Sequence, residues 1–219
     1  MIKLSNVTKN YSNACVFNDF SLEIEEGEIT CILGESGSGK TTLLNIIAGL
    51  TEFSGNVDKV KCSYVFQKPN LFPNLTVKQN LLLVNKDETA ISEILQELNV
   101  YDKLNSYPKH LSGGQAQRVA FARGVLFDAD VILMDEPFSS LDLKVKIQMI
   151  KDFAKKLKEK QKTVIFVTHD IEEAHMLANR AVVLKQGKIS ADFYCDVQIP
   201  REYGVSSDFK NKIIAEMLK

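Results

Sequence analysis

Ile29-Thr30-Cys31-Ile32-Leu33-Gly34-Glu35-Ser36-Gly37-Ser38-Gly39-Lys40-Thr41 passes from an apolar run into a glycine-rich stretch that ends on Lys-Thr. The apolar part reads as a short buried strand, and Thr41 to Gly49 reads as a helix, so the glycines lie on a strand-to-helix turn. Gly34 to Thr41 matches G-x-x-x-x-G-K-[ST] in the context that gives this pattern its meaning. Glycine lets the backbone wrap closely around a phosphate, so that successive N–H groups point at its oxygens. The helix N-terminus adds a partial positive charge. Lys40 can then reach the β- and γ-phosphates of a nucleoside triphosphate, and the Thr41 hydroxyl can ligate Mg²⁺. A plain Gly/Ser turn is the bland alternative, and the flanking strand and helix disfavour it.

Further along, Val131-Ile132-Leu133-Met134-Asp135-Glu136 places two carboxylates at the end of another buried strand, where ligands gather in parallel sheets. One can hold Mg²⁺ while its neighbour orients or deprotonates a water. Alternation along an extended chain points Asp135 and Glu136 in different directions, which suits two roles. A D-E-P at a strand end could also cap a turn; beside a phosphate loop, chemistry is the better reading.

The remaining segments frame these two sites. Val16, Phe20, Leu22 and Ile24 fit a half-buried antiparallel strand, and Thr163 to Val167 fits a buried one. Ile147, Ile150, Ala154 and Leu157 step by three and four, predicting a helix with one apolar stripe. The lysines at 151, 155, 156, 158, 160 and 162 read as its solvated face. Thr76 to Ser106 has helical spacing (Ile91, Ile94, Leu95, Leu98), with Pro73 and Pro108 as punctuation, and reads as a small helical insertion. Alternating strands and helices predict an α/β fold whose mainly parallel sheet is covered on both faces.

Composition narrows the function classes. The chain has 219 residues, between one and two domains at ~150 residues each. Its 27 basic and 28 acidic residues leave −1, which argues against a nucleic-acid binder. Cys15, Cys31, Cys62 and Cys195 form no C-x-x-C pair and suit a reducing cytoplasm. The N-terminus carries no secretory pattern, and the apolar runs fall short of the ~20 residues needed to span a bilayer. Any membrane process served by this chain must use other subunits as the spanning part.

Between the two sites stands Leu111-Ser112-Gly113-Gly114-Gln115, by itself an ordinary turn with Ser112 as helix cap. In this order and company it is the signature of ATP-binding-cassette (ABC) ATPases, and the chain resembles that family over essentially its whole length. The resemblance implies a P-loop NTPase (RecA-like) core over 1–70 and 112–219, including an N-terminal antiparallel β subdomain, with a helical subdomain over 71–111. Tyr11 corresponds to the aromatic that stacks on adenine, with Phe17 a competitor. Gly34, Glu35, Ser36, Gly37, Ser38, Gly39, Lys40, Thr41 and Thr42 would contact ATP. Gln67 matches the Q-loop and, with Thr41 and Asp135, would hold Mg²⁺. Ser139-Ser140-Leu141-Asp142 matches the D-loop, and His169 matches the switch histidine. Two units would face each other head to tail, each ATP lying between one phosphate loop and the partner's Leu111–Gln115 segment. Glu136 would activate water, His169 would hold the γ-phosphate, and Asp142 would join the two sites.

His110 and His175 fit no motif and read as structural or surface residues. Gly124 departs from the family, which usually has alanine there, and a glycine inside a helix costs ~1 kcal/mol. Asp128-Ala129-Asp130 departs too, replacing a more usual proline-containing turn. The run Asp135-Glu136-Pro137-Phe138-Ser139-Ser140-Leu141-Asp142 resembles the importer pattern rather than D-E-P-T-G-N-L-D of lipoprotein-release and exporter types. The tail around Ile199-Pro200-Arg201-Glu202-Tyr203 resembles nitrate, sulfonate and taurine importer ATPases. The implied partners are a second ATP-binding subunit, transmembrane permease subunits and an extracytoplasmic solute-binding protein, with the chain peripheral on the inner face of the membrane. An exporter subunit and a non-transport cassette ATPase are the other readings. A P-loop kinase has no reason to carry Leu111–Gln115.

Overall fold

The computed structural model describes residues 1–12, 14–139 and 141–219. Among these described residues nine strands and seven helices follow in chain order: β1 (Ile2–Tyr11), β2 (Ala14–Ile24), β3 (Ile29–Leu33), α1 (Lys40–Ile47), β4 (Ser54–Val57), β5 (Cys62–Val65), α2 (Val77–Leu82), α3 (Glu88–Glu97), α4 (Gly113–Leu126), β6 (Val131–Asp135), α5 (Leu143–Glu159), β7 (Thr163–Thr168), α6 (Ile171–Leu177), β8 (Arg180–Lys185), β9 (Lys188–Tyr194) and α7 (Asp208–Met217). Short 3₁₀ turns at Tyr101–Lys103 and Pro108–His110 lead into α4.

The main sheet runs β5-β6-β7-β3-β8-β9, parallel except for the β9 edge, and a smaller antiparallel sheet runs β2-β1-β4. Strand alternation sorts the core into two layers. Ile32, Val131, Leu133, Ile165, Val167, Val182 and Leu184 point to one face, where α1 and the small sheet cover them. Cys31, Leu33, Ile132, Met134, Val164, Phe166 and Val183 point to the other, under α3 to α7. Full burial on both faces explains why β3, β6 and β7 read as unbroken apolar runs. Val77, Leu81, Ile91, Ile94 and Leu95, from the helical segment, join this second layer.

Two expectations need correction. Gly124 is no loose end: a Cβ there would sit 2.9 Å from Val65 Cγ2 and 3.2 Å from Ser63 Oγ, so the missing side chain lets α4 pack against β5. The lysine face of α5 is only partly solvated. Lys156 is largely buried between Glu97 and Glu159, because α3 comes up beside it, and Lys162 Nζ donates to the Ala129 carbonyl at 2.8 Å. Among the histidines, His110 is exposed and His175 is buried, its Nδ1 3.2 Å from Ser207 Oγ.

Candidate active site

The parallel register brings the C-terminal ends of β3, β6 and β7 side by side, with Leu33 opposite Thr168 and Asp135 opposite Val167. Every polar turn that follows one of these strands therefore lands on one edge of the sheet, which is why residues 34–42, 135–136 and 169 meet although the sequence separates them. A cleft of about 390 Å³ opens there, lined by Tyr11, Val16, Ser36, Gly37, Gly39, Lys40, Thr41, Thr42 and Glu136.

The loop's glycines are needed for space. A Cβ on Gly34 would run into the Leu184 carbonyl, and one on Gly39 would lie 2.9 Å from Phe17 Cζ. Gly39, at φ 106°, caps α1 with no side-chain hydrogen bond, so the first-turn N–H groups face the loop. Lys40 Nζ donates to Gly34 O at 2.7 Å and Glu35 O at 2.9 Å. Burial lowers its pKa, while Glu136 and Asp135 act to raise it. The Ser38 hydroxyl is buried with no partner among the described residues. A cradle of N–H groups, a buried cation and an unpartnered hydroxyl are what an anionic phosphate chain would satisfy.

Two further oxygen-bearing side chains stand beside it. Thr41 Oγ1 donates to Asp135 Oδ1 at 3.1 Å, a pair of hard oxygens suited to Mg²⁺. Burial raises the Asp135 carboxyl, and the Thr41 hydrogen bond opposes that. Glu136 adopts φ 42°, unusual for a residue with a side chain, and its N–H donates to Val167 O at 3.0 Å. That turn aims the carboxylate so that Oε1 lies 3.1 Å from His169 Nδ1.

Tyr11 is 44% exposed at the cleft, with Lys9 Nζ 4.4 Å from its ring centre. Hydrogen bonds to Thr51 and Thr42 lower its phenol pKa. Phe17, in contrast, is fully buried in the layer beneath α1, because β2 turns it inward against Gly39, so it offers no face to a base. Gln67 does not line the cleft; its Nε2 donates to Ser139 Oγ at 3.1 Å, and Ser139 Oγ donates to Glu136 O at 3.1 Å. Its amide oxygen is left as the acceptor.

The signature segment lies apart from this cleft. Ser112 caps α4 in a reciprocal box, its Oγ accepting from Gln115 N at 3.2 Å and Gln115 Oε1 accepting from Ser112 N at 2.9 Å. Gly113 has open space around it, whereas a Cβ on Gly114 would meet Val145 at 3.2 Å. None of Leu111, Ser112, Gly113, Gly114 and Gln115 lines the cleft. Asp142 precedes α5, exposed and without a side-chain cap bond, and Ser140 lies outside the described residues.

Sequence reading missed supporting residues. Tyr64 stacks on Phe66 with ring centres 4.2 Å apart, its hydroxyl donates to Asn45 Oδ1 at 3.3 Å, and burial together with the nearby Asp135 carboxylate pushes its phenol pKa up. Arg123 reaches Asn70 O at 3.1 Å, and Gln117 reaches Phe66 O at 3.4 Å, so α4 holds the chain on both sides of Gln67. The sequence signal of Gln117 and Arg123 is polarity inside a helix that is otherwise largely buried, and Tyr64 on β5 carries none.

Comparison with known proteins agrees with this geometry. Residues 17–139 match the ABC transporter family. The aliphatic sulfonates import ATP-binding protein SsuB 1 of Pseudomonas syringae pv. tomato is 38% identical over 208 residues, covering 93% of this chain and 77% of that protein. A sulfonates import ATP-binding protein of Delftia acidovorans is 39% identical over 91% of this chain and 86% of its own. The sulfate/thiosulfate import ATP-binding protein CysA 1 of Agrobacterium fabrum is 39% identical over 86% of this chain and 62% of its own. A solved dimeric ATP-binding cassette in a post-hydrolysis state, bound to ADP and Pi, superposes with TM-score 0.78 at 34% identity, covering 89% of this chain and 98% of that one.

Proposed function

The chain belongs to the ABC transporter family of ATP-binding ATPases, and from that premise we propose that two copies hydrolyse MgATP between them to power import of a small solute, such as a sulfonate, nitrate or taurine. Separate permease subunits would span the membrane, since no described helix is long and apolar enough to do so. The chain would sit on the inner face, with an extracytoplasmic binding protein delivering solute. The observation that carries the ATPase chemistry is the meeting of Lys40, Thr41, Asp135, Glu136 and His169 at one sheet edge. The importer subclass is supported by the names of the relatives and by the Asp135–Asp142 pattern.

In this reading Tyr11 stacks on adenine, Gly34 to Thr42 bind the phosphates, and Lys40 moves from its own loop carbonyls to the β- and γ-oxygens. Thr41 and Asp135 would hold Mg²⁺, with the Gln67 amide oxygen completing the set once its side chain turns into the cleft, and the ion would supply charge neutralisation at the phosphates. Glu136 has one carboxylate oxygen on His169 and the other free to take a proton from the attacking water, while the bond between the β–γ bridging oxygen and the γ-phosphorus breaks. His169 orients that water and the γ-phosphate. The partner's α4 N-terminus meets the γ-phosphate from across the interface. Ser112 Oγ accepts from Gln115, so its own hydroxyl proton remains to donate. Residues 71–111 carry Leu111 to Gln115 as a helical lever, and Asp142 couples the two sites.

Reconstitution with the co-purifying membrane subunits, challenged with a panel of solutes and binding proteins, tests this. Stimulated phosphate release with one solute supports it. Phosphorylation of an added acceptor, or stimulation only by outward substrates, would refute it.

A further inference from the structure

Behind His169 lies a buried charged cluster that none of the motifs includes. Lys146, in the second turn of α5, places Nζ 2.8 Å from Asp170 Oδ2 and 2.7 Å from Glu173 Oε1. The lysine side chain is 15% exposed and that of Glu173 only 2%. Thr168 Oγ1 donates to Glu173 Oε2 at 2.6 Å and accepts from Asp170 N at 3.0 Å. Asp170 Oδ1 in turn caps α6 by accepting from Glu172 N at 2.8 Å. Burial pushes the Glu173 carboxyl up against the pull of Lys146 and Thr168. Burial acts the same way on Asp170, but Lys146 and the first-turn N–H groups of α6 outweigh it and hold that carboxyl low.

The consequence for His169 is geometric. Its side chain is 60% exposed, so packing does not place it. Its backbone is instead fixed from both sides, by Thr168 before it and Asp170 after it, and both are tied to Lys146 directly or through Glu173. Lys146 belongs to the helix that begins immediately after Asp142, and its N–H donates to Asp142 O at 2.8 Å. We infer that Lys146 is a positioning residue that sets His169 against Glu136. This rests on the reading of His169 given above. A buried cation shared by two carboxylates suits the task, because moving any member leaves a charge uncompensated.

The test measures MgATP turnover by the full chain for Lys146→Met, Lys146→Arg and the charge-balanced Lys146→Met/Glu173→Gln, each in wild-type and His169→Ala backgrounds. The paired variant removes one charge of each sign and guards against simple misfolding. We expect kcat to fall roughly 10- to 100-fold with KM for ATP within about twofold, the pattern of a displaced reacting group. Lys146→Arg, whose fork can span both carboxylates, should recover most of the rate. In the His169→Ala background Lys146→Met should add no further loss. Imidazole NMR signals of His169 should move while those of His110 stay. Wild-type kcat in the paired variant, full additivity with His169→Ala, or unmoved His169 signals would each overturn the inference alone. Wild-type turnover in His169→Ala itself would overturn the reading beneath it as well.

Discussion

Lys40 already has two acceptors, Gly34 O and Glu35 O, so binding phosphate exchanges one set of charge-assisted hydrogen bonds for a stronger one rather than creating it from nothing. Lys40→Ala removes the buried cation and leaves those carbonyls to the cleft. With charged hydrogen bonds worth about 1.5–3 kcal/mol, ATP affinity should fall roughly 10- to 100-fold. A fluorescent-nucleotide titration measures this, and wild-type affinity would mean the loop does not bind phosphate. Tyr11 offers an exposed ring and Phe17 none, so only the former can serve a base. Tyr11→Ala should weaken ATP by about 1–3 kcal/mol, the worth of base stacking, while Tyr11→Phe stays near wild type. Equal loss in both variants would locate the effect in the hydroxyl and its bonds to Thr42 and Thr51. The glycine-rich loop and its lysine were legible before the fold, since such a loop is local in sequence, whereas Tyr11 was offered by the family resemblance alone. The roles of Tyr64 and Arg123 were not, because what they touch comes from a distant strand or loop.

At the scale of elements, periodicity located what is buried on one stripe or on both faces. The buried strands β3, β6 and β7 and the apolar side of α5 follow from it, within a residue or two at the ends. The hairpin β8–β9 escaped, although Gln186-Gly187, both at positive φ, form the two-residue turn such hairpins favour. β9 is an edge strand with most side chains exposed or half-exposed, so it leaves little apolar pattern. Gly124 shows where local rules invert. Helix propensity alone predicts that Gly124→Ala gains ~1 kcal/mol. Val65 is stiff at χ1, and the 2.9 Å approach requires a backbone shift, so the substitution should instead destabilise by about 1–3 kcal/mol. Urea unfolding decides between the signs; a raised midpoint would disprove the packing argument. On the same helix Ser112→Arg should leave ATP binding by the single chain intact, since Ser112 is outside the cleft, yet abolish turnover. Normal phosphate release would show that the segment is not used across an interface.

At the scale of the whole molecule, the two halves assigned to one phosphate stand apart within a single chain. Its parallel sheet gathers the loop, the two carboxylates and the histidine at one edge, while the α4 N-terminus that the resemblance assigns to the same phosphate lies elsewhere. Order along the sequence could name both halves but not their separation, which depends on how 71–111 folds between them. On the proposed reading a second copy supplies the α4 half and ATP becomes part of the contact surface, so dimer lifetime should follow the lifetime of the bound nucleotide. Glu136→Gln keeps the size of the side chain and a hydrogen bond to His169 but removes the carboxylate proposed as base, leaving Lys40, Thr41 and Asp135 in place for MgATP. Chemistry should fall roughly 10²–10⁴-fold, and the nucleotide-bound dimer should accumulate. Asp135→Asn removes charge from the pair proposed to hold Mg²⁺, so the ion should be held less well and less dimer should form. Size-exclusion chromatography of both variants with MgATP, beside a phosphate-release assay, separates the two effects. Wild-type turnover in Glu136→Gln would remove Glu136 as base, and equal dimer in the two variants would mean that the dimer forms without tightly held metal.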